Sequence, residues 1–173
     1  MKYAHNLTYL RAHELLEYNQ ESGKLIWKKR NSQPFDWSTS GKEAGFVDVK
    51  ANNRRAIRID GKLYLAHRVA WLMVTGEWPI MDIDHRNGDA GDNRFANLRL
   101  ASVAENNRNI GVQKNSSTGF KGVHFFKATG KYQAHITFNR KRKHLGYYDT
   151  PEEAHAAYCK ASAELHGDFS RVS

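Results

Sequence analysis

The sequence is poor in cysteine, in long apolar runs and in acidic residues, and each shortage excludes a class of protein. The one cysteine, Cys159, excludes an internal disulfide framework and a cysteine-based zinc site. No apolar run approaches the roughly 20 residues of a membrane span, and the N-terminus has no uninterrupted apolar stretch typical of a secretory signal. A cytoplasmic protein that binds no membrane is therefore predicted.

Acidic residues are outnumbered, because 18 Asp and Glu stand against 27 Lys and Arg and the formal net charge is +9. Such an excess predicts a polyanionic partner, most simply nucleic acid. The charge is also concentrated, since residues 106–148 contain nine Lys or Arg and no Asp or Glu. His124, His135 and His144 lie in the same stretch. This distribution favours a DNA-binding surface, with a solvated basic face as the alternative.

The N-terminal half alternates short helical and extended patterns. An amphipathic helix is predicted at about residues 8–19, and short strands at Leu25–Lys28 and Ala56–Asp60. The dipeptide Asp60-Gly61 fits a type I′ hairpin turn, and apolar residues recur at helical spacing in residues 67–74. We divide the chain into a supporting segment (1–60), a chemically dense core (61–110), a linker (111–119) and a C-terminal domain (120–169).

The C-terminal domain is predicted to be a three-stranded antiparallel sheet packed on one helix. The strands are Gly122–Lys127, Lys131–Phe138 and Lys141–Tyr147. The helix begins after an N-cap at Thr150, with a proline and two acids in its first turn, and runs to about His166. The whole chain is therefore predicted to be α+β.

The densest group of polar residues follows the apolar residue Ile83. Asp84 and His85 are adjacent on a predicted strand, so their side chains point to opposite sides. Hydrolysis of a phosphodiester needs a base for the attacking water and a cation for the developing charge, and Asp84, His85 and Asn106 could supply both. Oxygen ligands of this kind suit Mg²⁺ or Mn²⁺. By itself an Asp-His pair is more often a structural hydrogen bond.

Residues 64–109, which include DIDHRNGDAGDNRFANLRLASVAENNRN, resemble the ββα-metal core of HNH endonucleases of the phage and homing type. The matching positions are Asp84-His85, Asn97 in an Asn-Leu-Arg context, and Asn106. The resemblance implies that Asp84 and Asn106 ligate the divalent metal, that His85 is the general base and that Asn97 orients its imidazole. One such site cuts one strand, so a monomer is predicted to nick, and double-strand breaks would require two copies or sequential events. Attack by a water that His85 activates predicts 5′-phosphate and 3′-hydroxyl ends, and no small-molecule cofactor is expected.

Four neighbours of this motif have a structural interpretation beside the catalytic one. For His67, hydrogen bonding in the core or at a helix cap is favoured over a part in catalysis. For Asp89 and Asp92, loop capping is favoured over metal binding. For Arg99, a contact with the scissile phosphate and an internal salt bridge remain equal alternatives.

Residues 119–167 resemble the ethylene-response-factor (AP-two) DNA-binding domain. The matching positions are Lys121-Gly122-Val123, Gly130-Lys131-Tyr132, His144-Leu145-Gly146-Tyr147 and the helix 150–158. The resemblance implies a sheet that docks in the major groove of double-stranded DNA. For Phe126 and Phe138, packing under the helix is favoured. The side chains predicted to face DNA are Lys121, His124, Lys127, Lys131, Tyr132, His135, Thr137, Arg142 and His144.

The sequence therefore favours a metal-dependent HNH endonuclease with a separate DNA-binding domain. A DNA-binding regulator with an inactive HNH module is the alternative, which the intact set Asp84, His85, Asn97 and Asn106 disfavours. An RNA-binding accessory protein is disfavoured because the strands carry no RNA-recognition signature.

Overall fold

The structure is a computed structural model that describes residues 3–29, 40–112 and 116–172. It divides into two compact units, Met1–Ser102 and Val103–Ser173, each of which is described by itself. Helices and small antiparallel sheets occur in both units, which confirms the predicted α+β class. Within the described ranges no helix is long and apolar enough to cross a membrane.

The first unit begins with a short helix and a hairpin: α1 (Tyr9–Leu15), β1 (Leu16–Tyr18) and β2 (Leu25–Trp27). The Thr8 hydroxyl caps α1 by accepting the amide of Arg11. The helix predicted at residues 8–19 is too long, because Leu16 turns to extended backbone and pairs with Trp27. This cross-strand pairing buries Leu16 completely and prevails over the local helical pattern.

A three-stranded sheet follows, made of β3 (Phe46–Asp48), β4 (Arg54–Ile59) and β5 (Lys62–Leu65). Asp60 and Gly61 connect the last two strands with φ angles of 47° and 76°. Positive φ at both central positions is the requirement of a type I′ turn. The predicted hairpin is therefore confirmed, and its first strand begins two residues before the predicted start.

Helix α2 (Ala66–Thr75) and the hairpin of β6 (Asp82–His85) and β7 (Leu98–Ala101) complete this unit. The helix ends at Gly76, whose left-handed φ of 83° lets its amide bond the carbonyl of Leu72. Its buried face joins two apolar clusters, of which the smaller consists of Ala70, Ile83 and Leu98. Because this cluster joins α2 to both strands, it packs the hairpin against the rest of the unit.

The second unit contains a three-stranded sheet and a long helix, preceded by a short helix. Apolar residues of the strands, such as Val123 and Ile136, pack on Ala154 and Tyr158 of the long helix. Thr150 is the N-cap of this helix, as predicted, and its side chain and that of Glu153 form a reciprocal capping box. The elements are α3 (Val103–Arg108), β8 (Val123–Phe126), β9 (Lys131–Phe138), β10 (Lys141–Tyr148) and α4 (Pro151–His166).

A β-bulge in β10 decides which side chains share a face of this sheet. His144 pairs with His135, but the next pair is Gly146 with Ala134, so Leu145 is an extra residue. Leu145 packs into the apolar layer under α4. As a result His144 and Tyr147, three positions apart, both lie on the face away from the helix, since their ring centroids are 4.8 Å apart.

Candidate nuclease site and nucleic-acid interface

The β6–β7 hairpin buries a charged pair. Asp84 lies directly opposite Arg99 in the strand register, and both residues are less than a tenth exposed. Arg99 Nε donates to Asp84 Oδ2 at 2.8 Å, and Nη2 lies 2.6 Å from the same oxygen. Of the two alternatives for Arg99, the internal salt bridge is present. The carboxylate predicted to hold a metal is thus already neutralised by a cation.

The imidazole of His85 is buried and held by an amide. Its Nε2 lies 3.0 Å from Oδ1 of Asn93, and Asn93 is only 3% exposed. With Oδ1 as acceptor, Nε2 carries the proton and Nδ1 carries the lone pair that can accept another. Burial lowers the pKa of His85 below its ordinary value, although the bond to Asn93 opposes this. The neutral form, which a general base needs, is therefore favoured at neutral pH.

Asn97 makes its side-chain bonds with the loop that joins the two strands. Its Oδ1 accepts the amide of Asn87, and its Nδ2 donates to Asn87 Oδ1 and to the carbonyl of Asp92. These bonds close residues 87–92 into one conformation. Its predicted role toward His85 remains a prediction, and the amide that bonds the imidazole here is Asn93. The family spacing points to Asn97, so no signal in the sequence singled out Asn93.

The N-terminal hairpin, for which the sequence predicts no chemistry, contacts the backbone around Asn93. The Tyr18 hydroxyl donates to the Asn93 carbonyl at 2.6 Å, and the amide of Phe95 donates to the carbonyl of Gln20. A Cβ on Gly23 would lie 2.6 Å from the Asn93 carbonyl carbon, closer than real Cβ atoms approach. Glycine at position 23, with φ of 73°, is thus required for this close backbone contact.

The two loop carboxylates have the structural roles that were favoured for them. Asp89 Oδ1 accepts the amide of Gly91. Asp92 bonds the side chains of Asn87 and Arg94, and the bond from Arg94 lowers the pKa of Asp92 to about 2. Loop capping is therefore observed for both.

The remaining predicted metal ligand, Asn106, lies on α3 in the second unit. Within the described ranges no group of three or more His, Cys, Asp or Glu is arranged to hold a metal. The residues at Asp84 therefore do not fit a zinc-type site. One carboxylate fits an ion that keeps most of its water shell, as Mg²⁺ does, provided that the carboxylate is shared with Arg99 or released from it.

Histidine rings and an arginine cover the outer face of the second unit's sheet, by which we mean the face away from α4. The rings of His124 and His135 stack with centroids 4.5 Å apart, and Arg142 Nη2 lies 2.9 Å from His135 Nδ1. Burial first, and the neighbouring Arg142 second, lower the pKa of His135 to about 4. Gln133 bonds His144 on the same face.

Exposed aromatic rings continue the outer face. Phe126 contacts Tyr147 at 5.6 Å between centroids, and both are more than a third exposed. The packing under the helix that was favoured for Phe126 is therefore wrong, because this ring lies on the opposite side of the sheet. Phe138 is half-buried and contacts His166 of α4, as favoured.

Two of the residues predicted to face DNA are used inside the unit instead. Lys121 Nζ donates to the carbonyls of Arg108, Ile110 and Arg171 at 2.6–2.8 Å, and burial lowers its pKa to about 8. All three donors of its ammonium are thereby occupied. Tyr132 packs with Val123 in the layer under α4. Of the other predicted residues, His124, Lys127, Lys131, Thr137, Arg142 and His144 are exposed and His135 is half-buried.

Comparison with known proteins assigns the central segment. Residues 64–108 match a family model described as HNH endonuclease. The chain is also 32% identical over 89 residues to "Protein 3.8" of Escherichia phage T7, an alignment that covers 51% of this chain and 73% of that protein. The chain is thus a relative of this phage protein and carries an HNH endonuclease domain at residues 64–108. No solved structure matches it significantly.

The match covers every position of the HNH motif, from Asp84 and His85 through Asn97 to Asn106, and it also includes His67. The strands β8 to β10 and α4 lie beyond it. For this part, the resemblance to ethylene-response-factor domains has no support from the comparisons, although the structure has a three-stranded antiparallel sheet packed on one helix.

Proposed function

We propose that this HNH protein is a divalent-metal-dependent DNA endonuclease that nicks one strand and leaves 5′-phosphate and 3′-hydroxyl ends. The observation that carries the proposal is the buried strand end Asp84-His85, whose imidazole is held by Asn93 inside a segment that matches the HNH endonuclease family. In this assignment His85 takes a proton from water at Nδ1, while Nε2–H stays bonded to Asn93. Asn97 supports the same geometry by closing the loop.

Asp84 and Asn106 are proposed as ligands of Mg²⁺ or Mn²⁺. For Asn106 the support is its motif position alone. When bound, such an ion supplies positive charge for the phosphate and the leaving oxygen. Arg99 holds the Asp84 carboxylate in a fixed position on the hairpin, so the ligand is preorganised before any ion arrives.

The outer face of the second unit's sheet is proposed to dock double-stranded DNA in the manner of ethylene-response-factor domains. Its exposed cations supply phosphate contacts, and its aromatic and histidine rings supply contacts to base edges. The residues assigned to this role are His124, Lys127, Lys131, His135, Thr137, Arg142 and His144. Lys121 and Tyr132 are left out because the unit uses them internally. Because its proposed substrate is DNA, we place the protein in the cytoplasm, which is that of the host cell if a phage encodes it.

One observation favours a second function. The Asp84–Arg99 ion pair occupies the predicted metal ligand, as expected of a DNA-binding regulator whose HNH module no longer cleaves. The two functions differ in whether plasmid DNA is cut.

The test is a nicking assay on supercoiled plasmid with Mg²⁺, with Mn²⁺ or with EDTA. We expect wild-type protein to form open circles only with a divalent ion, and DNA ligase to reseal them without prior phosphatase or kinase treatment. His85→Ala should lose at least about 100-fold in rate, because a general base contributes that much, and should bind DNA as wild type does. Binding without cleavage under every condition would favour the regulator.

A further inference from the structure

Arg54, at the start of β4, has no ion pair or side-chain hydrogen bond with any residue that the structure describes. It is half-buried, and its Nε is buried without a hydrogen bond among the residues that the structure describes. Its neighbours differ in this respect. Arg55 pairs with Glu43 at 3.0 Å, and Arg58 donates to the carbonyl of Gly61. Arg54 therefore stands out as a cation that these parts of the fold do not neutralise.

Arg54 lies on β4, which packs against α2, the helix that carries His67. In the β4–β5 register Ala56 pairs with Leu65, the last residue of β5. Arg54 lies two residues before Ala56, and His67 lies two residues after Leu65, in the first turn of α2. His67 packs its ring edge-on against His85, with centroids 5.1 Å apart. The charge of Arg54 contributes to the lowered pKa of both histidines, which agrees with this placement.

His67 is a second unsatisfied group at the same place. It is 3% exposed, and its Nδ1 is buried with no hydrogen-bond partner within the described ranges. The core or cap hydrogen bond favoured for it from sequence is thus absent at this atom. A buried polar atom without a hydrogen-bond partner destabilises the fold, so a group that bonds both Arg54 and His67 would remove two such losses.

Asp48, which faces Arg54 across the sheet, does not bond Arg54 Nε. Asp48 pairs with Arg54 in the β3–β4 register, but its carboxylate accepts the Tyr3 hydroxyl and the amides of Lys50 and Ala51. An arginine fork that is half-buried and lacks a carboxylate matches the oxygens of a phosphate.

We propose that Arg54, together with His67, binds a non-bridging oxygen of a DNA phosphate and places that phosphate against His85. Arg54 is thus a substrate contact that lies outside residues 64–108, the part of the chain that the family model matches. The inference rests on the proposed nuclease function for the identity of the ligand as DNA. Its anion chemistry rests on Arg54 and His67 alone.

The first test uses inorganic phosphate as the probe and needs no cleavage. We would titrate phosphate into the full chain at constant ionic strength and follow the ring signals of His67 by NMR. We expect saturable shifts in wild type and in Arg58→Gln, which removes one cation from the same strand. In Arg54→Gln the shifts should be lost. Equal shifts in wild type and Arg54→Gln, or none in wild type, would overturn the site.

The second test measures nicking by the same proteins, with thermal melts to check folding. Arg54→Gln should nick about 10- to 100-fold more slowly than wild type, the usual effect of one charged hydrogen bond, and Arg58→Gln at the wild-type rate. Arg54→Lys keeps the positive charge but loses the guanidinium fork, so its nicking rate should lie between those of wild type and Arg54→Gln. If Arg54→Gln is unfolded, Arg54→Lys serves as the test variant. An unchanged rate in Arg54→Gln contradicts the proposal. If wild type never nicks, the nuclease function fails and the phosphate titration still decides the site.

Discussion

The β6–β7 hairpin and the outer face of the second unit's sheet both carry charged and imidazole groups, but they hold them differently. In the hairpin, Asp84, His85 and Arg99 are less than a tenth exposed, and each is fixed by a partner. On the outer face, Arg142 and His144 are exposed. Buried polar groups keep one geometry, as bond-breaking chemistry requires. Exposed cations stay in contact with solvent, where they can attract a polyanion.

The largest expected effect comes from comparing the buried arginine of the hairpin with an exposed arginine elsewhere in the first unit. Arg99→Ala leaves the Asp84 carboxylate buried without its cation, so we expect the free energy of unfolding to fall by about 3–5 kcal/mol. Arg11→Ala removes a partner of Asp60 whose side chain is 51% exposed, and the expected loss is under about 1 kcal/mol. Urea denaturation of both variants measures the difference. Equal losses would mean that burial does not distinguish the pairs.

A second prediction concerns which amide orients the base. Asn93→Leu removes the acceptor for His85 Nε2, so nicking should slow about 10- to 100-fold, as for other groups that position a catalytic side chain. DNA affinity should not change. Asn93→Asp keeps an acceptor and should recover part of the rate. ¹⁵N shifts of the His85 ring report its tautomer, which should be fixed in wild type and mixed in Asn93→Leu. An unaltered tautomer would return the role to Asn97.

For the outer face the predicted effect is on the salt dependence of binding. Arg142→Ala should lower the slope of log K against log salt by roughly one unit if Arg142 contacts a phosphate. Lys160→Ala is the matched control, because Lys160 is exposed on α4, the element that covers the other face of the sheet. Binding isotherms at several salt concentrations give both slopes. A loss of slope in Lys160→Ala but not in Arg142→Ala would place the DNA on the helix side.

The smallest predicted effect is on stability against pH. The pKa of His135 is lowered to about 4 in the folded chain, whereas an unfolded histidine titrates near about 6.5. Between these values the unfolded chain binds the extra proton, so the contribution of His135 is complete above about pH 6.5 and is lost as the pH falls toward 4. Urea midpoints of wild type should fall more steeply over this range than those of His135→Gln. Parallel curves would contradict the prediction.

Much of the fold was predictable because its signals are local. Asp60-Gly61 specifies its hairpin through two residues that tolerate positive φ, and Thr150 with Glu153 caps α4 within one turn. The end of α1 was not predictable in this way, since Leu16 leaves the helix to pair with a strand eleven residues away. The face of the sheet on which Phe126 lies was also not predictable, because it depends on which face α4 covers.

For the candidate site, the sequence by itself determined the residue types and their order. Asp84 and His85 had to be neighbours on one strand, and the family match at residues 64–108 follows from that order. Only the tertiary structure decided the partners. Arg99 faces Asp84 through strand register, and Asn93 reaches His85 because Tyr18, 75 positions away along the chain, holds its backbone. Spacing along a chain encodes contacts within a turn or a strand, whereas these contacts depend on how separate elements pack.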